Sequence, residues 1–84
     1  MQLEKAIKKF EKAGATITTL KLSDTATRYI ATFSNGQKVD FVPDFETGEV
    51  DTYARPYGYD DADQTDLCFF YDSAKKAIER ALQA

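Results

Sequence analysis

Between residues 29 and 41 the apolar positions alternate: Tyr29, Ala31 and Phe33 in one run, Val39 and Phe41 in the next, with Asn35-Gly36 between them. A period of two belongs to a strand with one buried face, and Asn-Gly is a strong local signal for a hairpin. The faces decide the register. A two-residue turn at Asn35-Gly36 pairs Phe33 with Lys38 and Thr32 with Val39, which mixes apolar and polar residues on each face. A three-residue loop, Ser34 to Gly36 with Gly36 left-handed, pairs Phe33 with Gln37, Ala31 with Val39 and Tyr29 with Phe41. All five apolar residues then share one face, and this is the expected register.

The flanking segments follow the helical period. Leu3, Ala6, Ile7, Phe10 and Ala13 fall on one side of a helix over residues 2–13, with Lys5, Lys8, Lys9 and Lys12 on the other. Glu4 stands four residues before Lys8, the favourable order for an ion pair along a helix, and Gly14 is placed to end it. At the other terminus, Ala74, Ala77, Ile78, Ala81 and Leu82 form an apolar stripe opposite Lys75, Lys76 and Arg80. Asp72-Ser73 supplies residues that cap a helix start.

The remaining segments read as strands. Ala15 to Leu22 is rich in threonine and aliphatics, although Ile17 is out of phase with Leu20 and Leu22, which a bulge would reconcile. Glu49 to Ala54 is expected to be a strand with Val50 and Ala54 inward and Glu49, Asp51 and Tyr53 outward. Arg55 to Asp66 is expected to be a loop. Leu67 to Tyr71 fits either a short buried strand or the start of the last helix; its aromatics favour the strand. The expected fold is therefore α+β: one domain over residues 1–84 with an N-terminal helix, an antiparallel sheet of four to five strands and a C-terminal helix. Both helices lie on one sheet face. Parity then assigns Ile30, Asp40, Val42, Asp44, Glu49, Asp51 and Tyr53 to the other face. Phe10, Phe33, Phe41, Phe69 and Phe70 are assigned to the core.

Charge is unevenly distributed. Residues 40–72 hold ten carboxylates (Asp40, Asp44, Glu46, Glu49, Asp51, Asp60, Asp61, Asp63, Asp66 and Asp72) against the single cation Arg55, a charge of −9. The residues before carry +4 and those after +2, giving −3 in total. Alternate strand residues lie about 6.6 Å apart, so a strand presents carboxylates in a row suited to lysines and arginines that otherwise hold phosphates. Tyrosine is enriched at interface hot spots, and Tyr53, Tyr57 and Tyr59 lie within this segment with Arg55. The candidate partner-binding set is Asp40, Asp44, Glu49, Asp51, Tyr53, Arg55, Tyr57, Tyr59, Asp60, Asp61, Asp63 and Asp66.

Other chemistries fit less well. The chain has no histidine, hence neither the commonest general base nor the commonest transition-metal ligand, and a catalytic role is not expected. Asp61-x-Asp63-x-Thr65 with Asp72 twelfth resembles a calcium loop. However, Asp66 occupies the position that needs glycine, and the last ligand is not glutamate. No cofactor and no metal are expected. Lone Cys68, in an apolar context, reads as a buried structural thiol rather than a reactive one. The charged start of the chain does not resemble a signal peptide, and no apolar run reaches the ~18 residues of a membrane span, so a cytoplasmic protein is expected. The lysines of the first helix, with Lys75, Lys76 and Arg80, offer a second reading as a nucleic-acid surface.

Three stretches resemble small helix–sheet–helix domains of phages and mobile elements, some of them accessory domains of large polyvalent proteins. They are Phe10-Glu11-Lys12-Ala13-Gly14, then Tyr29-Ile30-Ala31-Thr32-Phe33 followed by Asn35-Gly36, and Tyr71-Asp72-Ser73-Ala74-Lys75-Lys76-Ala77-Ile78. In size and acidity the chain also looks like phage anti-CRISPR proteins, many of which block the DNA-binding surface of a CRISPR effector. That resemblance implies a non-enzymatic inhibitor in the host cytoplasm, acting as a nucleic-acid mimic on a basic surface of a host defence complex. The alternative is a nucleic-acid-binding accessory domain of a mobile element.

Overall fold

The computed structural model describes residues 1–56 and 67–83. Helix α1 (Leu3–Lys12) leads into strands β1 (Thr16–Lys21), β2 (Thr27–Thr32), β3 (Lys38–Phe41), β4 (Tyr53–Pro56) and β5 (Leu67–Tyr71), and helix α2 (Ala74–Gln83) follows. The sheet order β1-β2-β3-β4-β5 is the chain order, and every pairing is antiparallel. This is the expected α+β architecture, with five strands and with 67–71 a strand.

Local chemistry accounts for most boundaries. α1 ends as glycine dictates: the Gly14 N–H donates to the Glu11 carbonyl and the Ala15 N–H to the Phe10 carbonyl, a closure that a left-handed residue permits. The β2–β3 hairpin has the register read from its faces, with Ala31 opposite Val39 and Tyr29 opposite Phe41. The Phe33 N–H donates to the Gln37 carbonyl, and Gly36 sits at φ +87° in the left-handed region. α2 is capped by Ser73, whose hydroxyl accepts the Lys76 N–H at 3.2 Å. Its C-terminal carbonyls are met from the sheet: Asn35 Nδ2 donates to the Ala81 carbonyl and Arg55 Nη1 to the Arg80 carbonyl.

The core lies between the helices and the sheet. Phe10 stacks on Phe41 with ring centroids 5.1 Å apart and meets Phe33 edge-on and Tyr53 obliquely. Ala6, Ala15, Ala31, Val39, Val50, Ala74, Ala77 and Ala81 complete the buried cluster, with Ile7, Ile17, Tyr71 and Ile78 among those partly buried against it. Alanine on the inner faces of both helices lets them pack closely on each other and on the sheet.

Several expectations are corrected. β1 pairs with β2 without a register shift, so no bulge reconciles Ile17 with Leu20; Ile17 faces the helices and Leu20 lies on the opposite side, exposed. The strand expected over 49–54 is shorter and later. Glu49 makes only an isolated bridge to Gln2, and regular pairing starts at Tyr53. Because the strand is not continuous from Val50 to Tyr53, parity cannot be carried across, and Val50 and Tyr53 are both core. Ala54 takes the opposite face, across from Asp40. Arg55 and Pro56 belong to β4 rather than to a loop, and the pairing with β5 shifts register between them. Phe70, assigned above to the core, pairs with Ala54 on the far face and is exposed.

Candidate functional site

The acidic segment divides into parts with different roles. Asp40 has the parity expected of it, on the sheet face away from the helices, but it is only 6% exposed. Its carboxylate lies 3.1 Å from Nε of Arg28, which is equally buried, and Ile30 and Ala54 beside them are buried too. Nε and Nη1 of Arg28 make no hydrogen bond, so the pair is an ionic contact with one guanidinium nitrogen left over. Asp40 therefore neutralises a buried cation and does not present charge to a partner. Arg28, absent from the candidate set, could have been found in the hairpin register. Ile30 opposite Asp40 makes Arg28 a diagonal neighbour of Asp40 on the same face.

Tyr53 and Arg55 are likewise removed from the partner-facing set. Tyr53 packs against Phe10 and Phe41, and its hydroxyl donates to the Val50 carbonyl at 3.4 Å. Burial pushes its hydroxyl pKa upward, helped by the carboxylates of Asp51 and Glu49. The Arg55 guanidinium is spent internally, with Nε and Nη2 both donating to Gln37 Oε1 and Nη1 reaching α2.

Asp44 and Glu49 leave the sheet face and build a turn beside the start of α1. The Asp44 carboxylate accepts the N–H groups of Glu46 and Thr47 at 2.9 and 3.0 Å, its carbonyl accepts Gly48 N–H, and its own N–H donates to the Glu49 carbonyl. Those backbone donors hold the Asp44 carboxyl below its ordinary range. Glu49 is clamped from the other side: the Met1 ammonium lies 2.6 Å from Oε2, and Gln2 Nε2 donates to Oε1 at 2.7 Å. The ammonium first, and the Gln2 amide second, lower its pKa. The Gly48 carbonyl accepts the Leu3 N–H, meeting one of the donors that a helix start leaves free. Gly48 is needed there: it sits at φ +74°, and a Cβ would lie 3.2 Å from Gln2 Oε1.

This fixed turn exposes Asp44, Phe45 and Glu46 to solvent, with Asp51 exposed a few residues on. Phe45 is 69% exposed, more than any other large apolar side chain described. The sequence pattern assigns Phe45 to neither face; its position between two carboxylates just after Pro43 is the available signal. Tyr57, Tyr59, Asp60, Asp61, Asp63 and Asp66 lie outside the described residues, as does the side chain of Cys68. Among the described residues, no group of three or more aspartate, glutamate, cysteine or histidine side chains is placed to hold a metal ion. No helix among them is long and apolar enough to cross a membrane.

The cations stand elsewhere. Lys5, Lys8, Lys9 and Lys12 of α1 and Lys75, Lys76 and Arg80 of α2 are exposed. Lys9, Lys12 and Lys75 converge on a groove between the two helices whose apolar lining is Ala13 and Ile78. No protein-family model, curated protein or solved structure matches the chain.

Proposed function

We propose that the chain is a non-enzymatic binding protein of the phage anti-CRISPR type, whose acidic segment occupies a basic nucleic-acid-binding surface on a host defence complex in the host cytoplasm. The observation that carries this reading is the separation of charge. The acid is gathered in one segment; of its exposed described members, Asp44, Glu46 and Asp51 lie on or near a turn fixed by hydrogen bonds and bearing an exposed aromatic ring, while Asp72 stands apart, beside Lys76 at the start of α2. A rigid acidic surface with an aromatic anchor loses little conformational freedom on binding and is steered toward a cationic partner. Asp40, Tyr53 and Arg55 have no part in it, because they are engaged internally. Tyr57, Tyr59, Asp60, Asp61, Asp63 and Asp66 stay in the proposal on their sequence alone.

The test is capture of the partner from host lysate, followed by a salt titration of its affinity for the wild type and two charge-reversed variants. One variant carries D44K, E46K and D51K; the other carries D60K, D61K and D63K. Each is expected to weaken binding about tenfold or more at low salt and to flatten the salt dependence. Unchanged affinity and unchanged salt dependence in both variants would overturn the reading.

A second reading draws on the convergence of Lys9, Lys12 and Lys75: an accessory domain that grips nucleic acid through its helices. A gel shift with DNA and RNA at low salt separates the two, negative under the first and positive under the second.

A further inference from the structure

The Asp44–Glu46 turn and the groove between α1 and α2 are complementary in charge and in apolar character. The groove has a volume of about 250 Å³ and is lined by Lys9, Lys12, Ala13, Lys75, Ile78 and Glu79. Pockets for drug-sized ligands run from about 300 to 1,000 Å³, so this one suits a single side chain. The apolar lining offers nothing to a phosphate and favours an apolar group. Its rim is cationic: none of Lys9, Lys12 and Lys75 is tied in an ion pair among the described residues, and Glu79 offsets one of the three charges. The turn offers the converse, an exposed phenyl ring between two exposed carboxylates.

The two surfaces lie at opposite ends of α1. The turn is bonded to its first residue, Leu3, whereas the groove is lined by Lys9 and Lys12 in its last turn and by Ala13. A ten-residue helix is about 15 Å long, too far for Phe45 to fill the groove of its own chain. We infer that Phe45 of one copy seats in the α1–α2 groove of a second copy, with Asp44 and Glu46 against Lys9, Lys12 and Lys75. The contact is head to tail: each copy keeps a free turn at one end and a free groove at the other, so association runs on into open chains or rings. One aromatic ring and a few exposed ion pairs fall well short of the ~1,200 Å² of a stable interface, so the association is weak and sensitive to salt. It shares the turn with the proposed basic partner, and the two contacts compete.

Sedimentation velocity tests this without any partner, and so independently of the function proposed above. From about 10 μM to about 1 mM protein, the mean mass is expected to rise with concentration at roughly 20 mM salt and to fall back to the monomer at roughly 500 mM. The F45S variant, which loses the turn's anchor, and the K12E/K75E variant, which loses the groove's charge, each stay monomeric. Circular dichroism checks that both remain folded. Mixed, they form a one-to-one dimer, because the intact turn of one finds the intact groove of the other and growth stops. A wild type monomeric throughout, a mixture that does not dimerise, or association that survives both variants would each overturn the inference. So would nucleic-acid binding by a wild type that never self-associates, since the groove would then belong to a polyanion.

Discussion

Asp44 shows how a carboxylate within a charge cluster can have a structural use. It organises a turn through two backbone N–H groups, and these lower its pKa. A carboxyl whose pKa is lower folded than unfolded stabilises the fold above its unfolded value, here 3.8, and loses that contribution as pH falls through the folded value. Asp44→Ala is therefore expected to lower the melting temperature at neutral pH. Asp44→Asn keeps an acceptor oxygen, lowers it less, and removes part of the drop in stability below pH 3.8. Thermal melts between neutral pH and about pH 2 check this, and parallel acid limbs for the Asp44→Asn variant and the wild type would contradict it. Glu49 acts in the same direction below its ordinary value of 4.5, so a residual acid dependence is expected in either variant. Neither role was legible in advance. Side-chain capping of a turn depends on where the next four N–H groups point, and the alternation rule that placed Asp44 on a strand face stops applying once the strand ends at Phe41.

Strand pairing, by contrast, was legible wherever one face had to be apolar. Tyr29, Ala31, Phe33, Val39 and Phe41 admit one register, and β2 and β3 adopt it. β4 escaped the same logic because Glu49 and Val50 bond back to Gln2 and Met1 at the start of α1, a contact across almost fifty residues that no local pattern announces. The Arg28–Asp40 pair is an intermediate case, visible in the register but not in the composition. Removing one partner of a buried pair leaves an uncompensated charge and costs about 3–5 kcal/mol, whereas replacing both with apolar residues of similar size is often neutral or stabilising. Asp40→Ala and Arg28→Ala are each expected to be strongly destabilising, and the double variant R28M/D40L to stay within about 1 kcal/mol of wild type or exceed it. Urea denaturation of the three variants reads this. A double variant as unstable as the single ones would show that the pair holds β2 to β3 by more than mutual neutralisation.

For the molecule as a whole, one aromatic side chain joins the layers. Phe10 reaches from α1 to Phe33, Phe41 and Tyr53, and so to the end of β2, β3 and β4 together. A chain of 84 residues is held by roughly 4–13 kcal/mol, and Phe→Ala in a core costs about 3–5 kcal/mol. Phe10→Ala is thus expected to lose roughly a quarter or more of the total and to unfold at markedly lower urea, while Phe10→Leu loses less; equal midpoints for Phe10→Ala and wild type would mean that another contact joins the layers. The sheet itself has the simplest order available, each strand beside its successor, and such a sheet ends in two edges. β1 is one of them: Thr16, Thr18, Thr19, Leu20 and Lys21 are all exposed. Outward-facing amides and carbonyls on an edge can template pairing with other chains, a route to aggregation. Against it β1 sets a threonine-rich surface and the positive charge of Lys21, so this six-residue edge is where an apolar substitution is expected to turn the fold toward self-pairing.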